Sequence, residues 1–192
     1  MLALIFDTET TGLPLWKEPS DHPGQPHIID LAVELWDGED LVESLSCLIK
    51  PGIPIPADMT AIHGITDEMV EAEGWAKADA VNDFMKLAGK ADVIVGHNVS
   101  FDIRMMRIEA ARALGEKWAP MQPTFCTMRK STNVCKLLSE KARHPEDWKW
   151  PKLGEAYQHF FGEEFVDAHR AKPDCEASRR IYFHLMNMEK AQ

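Results

Sequence analysis

Residues 2–12, LALIFDTETTG, pass from a continuous apolar segment directly into acidic and threonine side chains. A short apolar run of this kind is typical of a buried strand, which we expect to end near Thr8. Asp7 and Glu9 are two positions apart, so in a strand both side chains lie on the same side of the sheet. Two adjacent carboxylates repel each other, and a divalent cation between them removes that repulsion. The alternative, that both lie on a solvated strand end, stays open for this pattern alone.

Beyond this segment the chain shows a hairpin and then alternating helix and strand patterns. A proline-rich loop over 14–27 precedes two alternating apolar segments, and Asp37-Gly38 between them is a turn signal that predicts a β-hairpin. The later strand patterns are short and continuous, as in the centre of a sheet. The order indicates one α/β domain over 1–192, with a mixed sheet and helices on both faces. The predicted strands after the first cover 28–36, 41–49, 92–96 and 123–126. The predicted helices cover 76–88, 101–114, a segment ending near Leu138, 152–161 and a last helix ending near Met188, with Thr66 and Ser100 as candidate N-caps.

A second acidic patch, GHNVSFD at 96–102, follows a predicted central strand and opens a helix. The carboxyl ends of such strands are where α/β proteins build their sites. Asp102 would lie in the first turn of the helix, where a carboxylate also stabilises the helix dipole. Both the functional and the structural interpretation of Asp102 are compatible with this patch.

A third patch, HRAKPD at 169–174, opens the last predicted helix. Pro173 suits the first turn of a helix and disfavours helical geometry at the residue before it. We therefore expect His169 on the loop that enters the helix and Asp174 in its first turn. A dipole-stabilising aspartate and an exposed histidine are the structural alternative.

The candidate site residues in the three patches are four carboxylates and one histidine, His169. Oxygen ligands suit Mg²⁺ or Mn²⁺ and suit Zn²⁺ less well. Such a set fits two cations about 3.5–4 Å apart that hold the attacking and leaving oxygens of a phosphoryl transfer. The four cysteines form no C-x-x-C pair, so neither a zinc site nor disulfides are expected, and a reducing cytoplasm is the simplest compartment.

The composition excludes several classes of protein. Hydrophobic residues make up 45% and charged residues 27% of the 192 residues, as in an ordinary globular domain. No apolar run approaches the roughly 20 residues that cross a bilayer, and the start MLALIFDTET lacks the basic segment of a signal peptide. The net charge of −10 argues against a broad basic face that coats duplex nucleic acid. It is compatible with an enzyme that grips a short single-stranded end.

Four motifs resemble, in order and spacing, those of the DEDDh (DnaQ-like) 3′–5′ exonucleases, and the resemblance extends from residue 4 to about residue 185. The motifs are FDTETTG at 6–12, HGIT at 63–66, GHNVSFD at 96–102 and H-x-A-x-x-D at 169–174. The resemblance implies the ribonuclease H-like fold, with a central five-stranded mixed sheet flanked by helices on both faces.

The resemblance also implies a role for each matched residue. The ligands of two Mg²⁺ ions, for which Mn²⁺ could substitute, would be Asp7, Glu9, Asp102 and Asp174. His169 would be the general base that takes a proton from the attacking water. Thr10 would touch the terminal 3′-hydroxyl, Leu13 and Phe101 would pack on the terminal bases, and Asn98 would organise the site by hydrogen bonding. His63 would lie beside the terminal nucleotide, or would only form a turn.

The sequence departs from the family pattern at three places. The loops over 14–27 and 139–151 are longer than usual and either shape the substrate entrance or are plain surface loops. Pro173 replaces a residue that is more often aliphatic. The tryptophans near these segments either contact nucleic acid or a partner, or anchor loops in the core; they are Trp16, Trp118, Trp148 and Trp150.

The expected function is metal-dependent release of nucleoside 5′-monophosphates from a 3′ end, preferably of single-stranded DNA. An exoribonuclease with the same site and a catalytically silent nucleic-acid-binding subunit are the alternatives. The chain stops soon after its last helix, and we expect no tail for a replicative polymerase, which favours a free-standing enzyme. A homodimer and a polymerase partner both stay open, and no membrane association is expected.

Overall fold

The computed structural model describes residues 1–166 and 169–191. Its strands are β1 (Leu2–Thr10), β2 (Ile28–Asp37), β3 (Asp40–Leu48), β4 (Val93–Gly96) and β5 (Thr124–Cys126). Its helices are α1 (Ala57–His63), α2 (Asp67–Glu73), α3 (Lys77–Ala88), α4 (Val99–Leu114), α5 (Thr127–Cys135), α6 (Leu153–Phe161) and α7 (Ala171–Lys190). In the part of the chain so described, none of the helices has both the length and the apolarity needed to cross a bilayer.

The five strands form one mixed sheet in the order β3-β2-β1-β4-β5. β1 and β3 both run antiparallel to β2, while β4 is parallel to β1 and β5 is parallel to β4. The parallel strands β1, β4 and β5 therefore end at the same edge of the sheet. The predictions of a hairpin and of a five-stranded mixed sheet are confirmed.

The period-two alternation of β1 divides the core between two faces. Leu4 and Phe6 pack in the cluster that α3 and α4 cover, and the ring of Phe6 lies 5.0 Å from that of Phe84. Ala3 and Ile5 pack on the opposite face with residues of α7. Helices thus lie on both faces, as predicted. By the same alternation, the acidic residues that continue β1 point toward the α7 side.

Several element ends differ from the sequence prediction. β1 continues to Thr10, and α5 ends at Cys135, where Lys136 takes a left-handed conformation with φ 48°. The prediction of Ser100 as the N-cap of α4 was wrong, because the helix begins at Val99 after a left-handed Asn98 with φ 69°. Asparagine tolerates that conformation better than most residues, so it can turn the chain directly from β4 into the helix. The predicted Thr66 cap is confirmed, since its side chain accepts a hydrogen bond from the backbone of Met69.

The long loop between β1 and β2 is held by buried polar contacts. The side chain of Gln25 is 2% exposed and bonds both the N–H and the carbonyl of Leu15 at 3.0 Å. Arg104 of α4 donates to the Glu18 carbonyl at 2.6 Å and to Ser20 Oγ at 2.8 Å. These contacts fix the loop against α4, so it has a defined position at the sheet edge.

The tryptophans divide into anchors and exposed rings. Trp118 packs edge-to-face on Phe84, with 5.3 Å between the ring centroids, and Trp148 is half-buried in a bridge to Leu138. Trp16 and Trp150 remain 59% and 61% exposed, each on one of the two long loops. Trp118 and Trp148 therefore anchor their loops, while contact of Trp16 and Trp150 with nucleic acid or a partner stays a prediction.

Candidate active site

Strand β1 brings acidic side chains to the sheet edge where the parallel strands end. Asp7 and Glu9 lie on the α7 side of the strand, and the register of β1 with β2 places Asp30 directly opposite Glu9. Carboxylates directly opposite each other on neighbouring strands repel, so the arrangement destabilises the fold unless cations offset it.

Asp102 is fixed to the same strand by two hydrogen bonds. Its Oδ1 accepts from the backbone N–H of Thr8 at 3.1 Å and from Thr8 Oγ1 at 2.8 Å, and its side chain is buried. Because Thr8 lies between Asp7 and Glu9, these bonds hold the first turn of α4 against the acidic end of β1.

The start of α7 completes the cluster. Glu9, His169 and Asp174 each offer a ligand atom, and these atoms all lie within 4.8 Å of one another. His169 precedes the helix in a left-handed conformation with φ 71°, and Asp174 lies in the first helical turn, as predicted. Asp174 Oδ1 is buried and has no hydrogen-bond partner among the described residues. A buried carboxylate oxygen without a partner is costly, and a bound cation would satisfy it. The oxygen-rich donor set therefore fits hard divalent cations.

Burial and mutual repulsion hold protons on these acids when no cation is bound. Burial, with the nearby carboxylates of Asp102 and Asp174, raises the pKa of Asp7 well above its usual range. Burial, followed by the charge of Asp174, raises the pKa of Glu9 to about 8. Burial raises the pKa values of Asp102 and Asp174 to about 7 each. A divalent cation would displace these protons at neutral pH.

Without a divalent cation, thermal stability should therefore fall as the pH rises, and Mg²⁺ should offset this fall. The folded protein keeps protons that the unfolded chain releases above its ordinary carboxyl pKa of about 4. In EDTA the free energy of unfolding then falls as the pH rises from about 4 through 7 to 8. At pH 8, Mg²⁺ at a hundred times its Kd should raise Tm by roughly 5–10 °C. Calorimetric melts at pH 5 and pH 8 check this. Melts at pH 8 that do not respond to Mg²⁺ would contradict it.

One acidic residue beside the cluster, Asp30, was missed from the sequence. Asp30 is 4% exposed, and its Oδ2 accepts from Arg170 Nε at 2.9 Å and from the backbone N–H of Ala171 at 3.3 Å. These bonds hold both residues that follow His169 and so fix the loop at the start of α7. The signal was present in IIDLAV at 28–33, because a charged residue inside an apolar strand is rarely buried without a partner.

Replacing Asp30 with alanine should lower kcat about 10–100-fold through the position of His169, with a smaller effect on KM. Asparagine keeps an acceptor oxygen at the same position, so Asp30→Asn should recover part of the loss. Steady-state kinetics of both variants measure the split between kcat and KM. A purely structural role would instead lower Tm in proportion to the activity loss and would show no recovery with asparagine.

The predicted contacts to the terminal nucleotide differ in exposure. Thr10 is buried, and its Oγ1 donates to the carbonyl of Gly12 at 2.8 Å. Leu13 follows it with 81% of its surface exposed. A leucine this exposed has apolar surface free for contact with a ligand, and its packing on a terminal base stays a prediction.

His63 lies close enough to the cluster to feel its charges. Burial is the main cause that lowers the pKa of His63. The charges of Arg170 and His169 lower this pKa further, and the charge of Asp30 raises it. Its Nδ1 accepts from the backbone N–H of Ile65 at 3.0 Å, which fixes the turn after α1. Its Nε2 is buried with no partner among the described residues. His63 therefore forms the turn through Nδ1, and its Nε2 has no partner among the described residues and stays a candidate for a contact with the nucleotide.

Asn98 and Phe101 occupy the start of α4. The Asn98 carboxamide oxygen accepts from Ser100 Oγ at 3.3 Å, and within residues 1–166 and 169–191 it bonds none of the clustered acids. Phe101 is half-buried beside Asp102.

His97, which precedes Asn98, was also missed from the sequence. Its ring is hydrogen-bonded to Thr127 Oγ1 and to the Pro151 carbonyl, both at 2.9 Å. Burial lowers the pKa of His97 to about 4, so the ring stays neutral while it joins β4, α5 and the loop over 139–151.

Comparison with known proteins supports a single family. The exonuclease family model RNase_T matches residues 4–182. An uncharacterized exonuclease of Escherichia phage 186 is 31% identical over 184 residues, which cover 93% of this chain and 84% of the phage protein. A DNA polymerase III subunit epsilon-like protein of Rhodobacter capsulatus is 42% identical over 106 residues, or 54% of this chain and 14% of that protein.

A solved structure shares the fold. E. coli exonuclease I in complex with a dA16 oligonucleotide superposes with a TM-score of 0.73 at 19% identity. The match covers 97% of this chain and 41% of that one, so the relatives are in part much longer proteins. The family match, the phage relative and the shared architecture agree with the motifs and with the five-stranded mixed sheet. The chain therefore belongs to the RNase_T exonuclease family of DnaQ-like (DEDDh) hydrolytic nucleases and has their ribonuclease H-like fold.

Proposed function

We infer that the chain is a metal-dependent 3′–5′ exonuclease that removes nucleoside 5′-monophosphates from single-stranded DNA. One observation carries the proposal. The unpartnered, buried Asp174 Oδ1 lies in a group with Glu9 and His169 whose ligand atoms are within 4.8 Å of one another. Carboxylate oxygens that can bind metal ions, beside an imidazole that can accept a proton, suit hydrolysis of a phosphodiester.

The acids would hold two Mg²⁺ ions, with Mn²⁺ as a substitute. The proposed ligands are Asp7, Glu9, Asp102 and Asp174. When bound, the cations would stabilise the negative charge that develops on the scissile phosphate. The hydrogen bonds that Thr8 donates orient Asp102 for this role, and the bonds that Asp30 accepts from Arg170 and Ala171 fix the loop at the start of α7.

His169 would act as the general base. Its ring is exposed on the loop before α7, next to Glu9 and Asp174, where it can accept a proton from the water that attacks the phosphorus. Thr10 and His63 would contact the terminal nucleotide. Leu13 and Phe101 would pack on its base and the next one, and Asn98 would orient the rim by hydrogen bonding. These contacts read no base edge, so little sequence preference is expected.

The choice of single-stranded DNA draws support from the fold neighbour that was crystallised with dA16. An exoribonuclease would use the same acids, and its recognition would depend on contacts to the 2′-hydroxyl. A silent binding subunit would not need to keep all four acids and the histidine. The epsilon-like relative makes a polymerase partner one candidate, and a homodimer is the other.

Degradation of end-labelled oligonucleotides tests the function. Matched DNA and RNA oligomers, single- and double-stranded, carry a label at the 5′ end and are incubated with Mg²⁺ or with EDTA. We expect stepwise shortening from the 3′ end with Mg²⁺ only, fastest on single-stranded DNA, and nucleoside 5′-monophosphates as products. Faster loss from RNA would assign the exoribonuclease instead, and no release from any substrate would assign the silent subunit.

A further inference from the structure

A basic groove lies beside the acid cluster, between α4 on one side and β5 with α5 on the other. Its volume is about 670 Å³. Among the described residues that line it, four are cationic and none is acidic, although the whole chain carries a net charge of −10. The cations are Arg104, Arg107, Arg129 and Lys130. A positively charged groove on a negatively charged protein favours binding of an anionic ligand.

Two of these four cations are available to a ligand. Arg104 holds the long loop, and Lys130 pairs with Glu189 at 3.1 Å. Arg107 is exposed and has no hydrogen bond or ion pair with any residue in 1–166 or 169–191. Arg129 is exposed, and its guanidinium lies 5.8 Å from the ring of Trp150. A guanidinium beside an indole is suited to a ligand with both phosphates and flat rings.

The groove opens at the same sheet edge as the acids. Val99 and Ser100, in the first turn of α4 with Asp102, line it, and so does Cys126 at the end of β5. Because β1, β4 and β5 are parallel neighbours, their carboxyl ends are adjacent. A strand whose 3′ end lies at β1 would reach this groove after passing the end of β4.

Two exposed tryptophans flank this path, and each lies in a loop whose backbone is held by hydrogen bonds close to the tryptophan. Trp16 lines the groove from the loop that Gln25 and Arg104 fix against α4. Trp150 precedes Pro151, whose carbonyl is hydrogen-bonded to the half-buried His97 at the end of β4. Exposed aromatic rings on fixed loops offer stacking surfaces to bases without ordering costs.

We propose that this groove binds the single strand that precedes the 3′-terminal nucleotides, with Arg107 and Arg129 on its phosphates and Trp16 and Trp150 stacked on its bases. This proposal rests on the proposed function, because it needs the 3′ end to lie at the acid cluster. It assigns the two long loops to substrate binding. An acidic peptide would satisfy the cations but would leave the exposed indoles without partners.

Binding of a fluorescent dT12 oligonucleotide, measured by anisotropy in EDTA, tests the groove without hydrolysis. Arg107→Ala with Arg129→Ala should raise its Kd tenfold or more. It should also reduce the slope of log affinity against log salt by about 1.4, since each lost phosphate contact removes about 0.7 for a single strand. Trp16→Ala with Trp150→Ala should raise Kd on the order of tenfold. The matched control is Lys86→Ala with Lys90→Ala, which removes two charges near the opposite ends of the parallel strands and should change Kd less than twofold.

Activity gives a second readout with Mg²⁺ present. A dinucleotide has a single phosphodiester, which would lie at the acid cluster. It therefore has no further phosphate or nucleotide that could contact the groove. The preference for dT12 over the dinucleotide, as a ratio of kcat/KM, should fall at least tenfold in the arginine variant. A variant that binds dT12 as the wild type does would overturn the proposal, and so would equal losses on both substrates. Displacement of dT12 by poly-glutamate with the oligonucleotide's own affinity would also overturn it.

The groove and the proposed function can fail separately. If the wild type binds dT12 through the arginines but hydrolyses no substrate, the exonuclease assignment fails and the groove stands. If the wild type hydrolyses dT12 and the arginine variant keeps its full length preference, the groove fails and the exonuclease assignment stands. Far-UV circular dichroism melts of each variant establish that the fold is retained.

Discussion

Replacing Asp7 with asparagine should lower kcat about 1,000-fold or more while the protein becomes more stable in EDTA. Asp7 lies close enough to Glu9, Asp102 and Asp174 for their charges to raise its pKa, and the substitution removes a carboxylate oxygen that would bind a cation. Charge stabilisation by a bound metal ion contributes several kcal/mol to the transition state, and about 4 kcal/mol corresponds to about three orders of magnitude in rate. Release of labelled mononucleotide under Mg²⁺ saturation measures the loss.

The gain in stability follows from the same crowding of charges. Burial and the neighbouring Asp102 and Asp174 raise the pKa of Asp7 well above its usual range, so its ionised form destabilises the metal-free fold. Asparagine has nearly the same shape and no charge. Melts in EDTA at pH 8 should therefore give a higher Tm for Asp7→Asn than for the wild type, and Mg²⁺ should raise it less.

Asp40→Asn is the matched control, because Asp40 is an exposed acid at the start of β3, outside the cluster. It should change neither kcat nor the response of Tm to Mg²⁺. Full activity in purified Asp7→Asn protein would refute the assignment of the acids. Loss of activity together with a lower Tm than the wild type would instead show that Asp7 is a structural residue.

The acid cluster was predictable because its members lie at element boundaries that short-range patterns reveal. A D-x-E pair on a strand must point one way, and Asp102 and Asp174 open helices whose starts are marked by an apolar strand and by Pro173. The carboxyl ends of parallel strands meet at one edge, so order along the chain was enough to bring the patches together. The element types were likewise recoverable from periodicity.

Asp30 could not be assigned in this way. Its contact with Arg170 joins residues 140 positions apart, and it depends on the register that places Asp30 opposite Glu9. Register is set by packing across the whole sheet, which no local pattern contains. For the same reason the sequence did not separate the exposed Trp16 and Trp150 from the half-buried Trp118 and Trp148, because exposure depends on how the loops pack. Asn98 was missed as the start of α4 because its left-handed turn follows from tertiary constraints at the end of β4.

Replacing His169 with asparagine should lower kcat by 100- to 10,000-fold, roughly the contribution of a general base. Asparagine is the appropriate substitution because His169 has φ 71°, a conformation that asparagine tolerates and alanine does not. The backbone and its contacts to Asp30 should then stay in place, and kcat should fall with little change in KM. His144→Asn, at an exposed histidine in the loop over 139–151, is the matched control and should keep wild-type rates.

The response of Tm to Mg²⁺ separates a proton acceptor from a metal ligand at this position. His169 lies within ligand distance of Glu9 and Asp174, so its ring could serve either purpose on geometry alone. As a base, it leaves the carboxylate ligands intact, and the Mg²⁺-dependent rise in Tm should be the same in His169→Asn as in the wild type. A rise that disappears with the histidine would make it a ligand. Full activity in His169→Asn would contradict the assignment of His169 as the general base. In the described part of the chain, no other histidine belongs to the group of ligand atoms formed with Glu9 and Asp174.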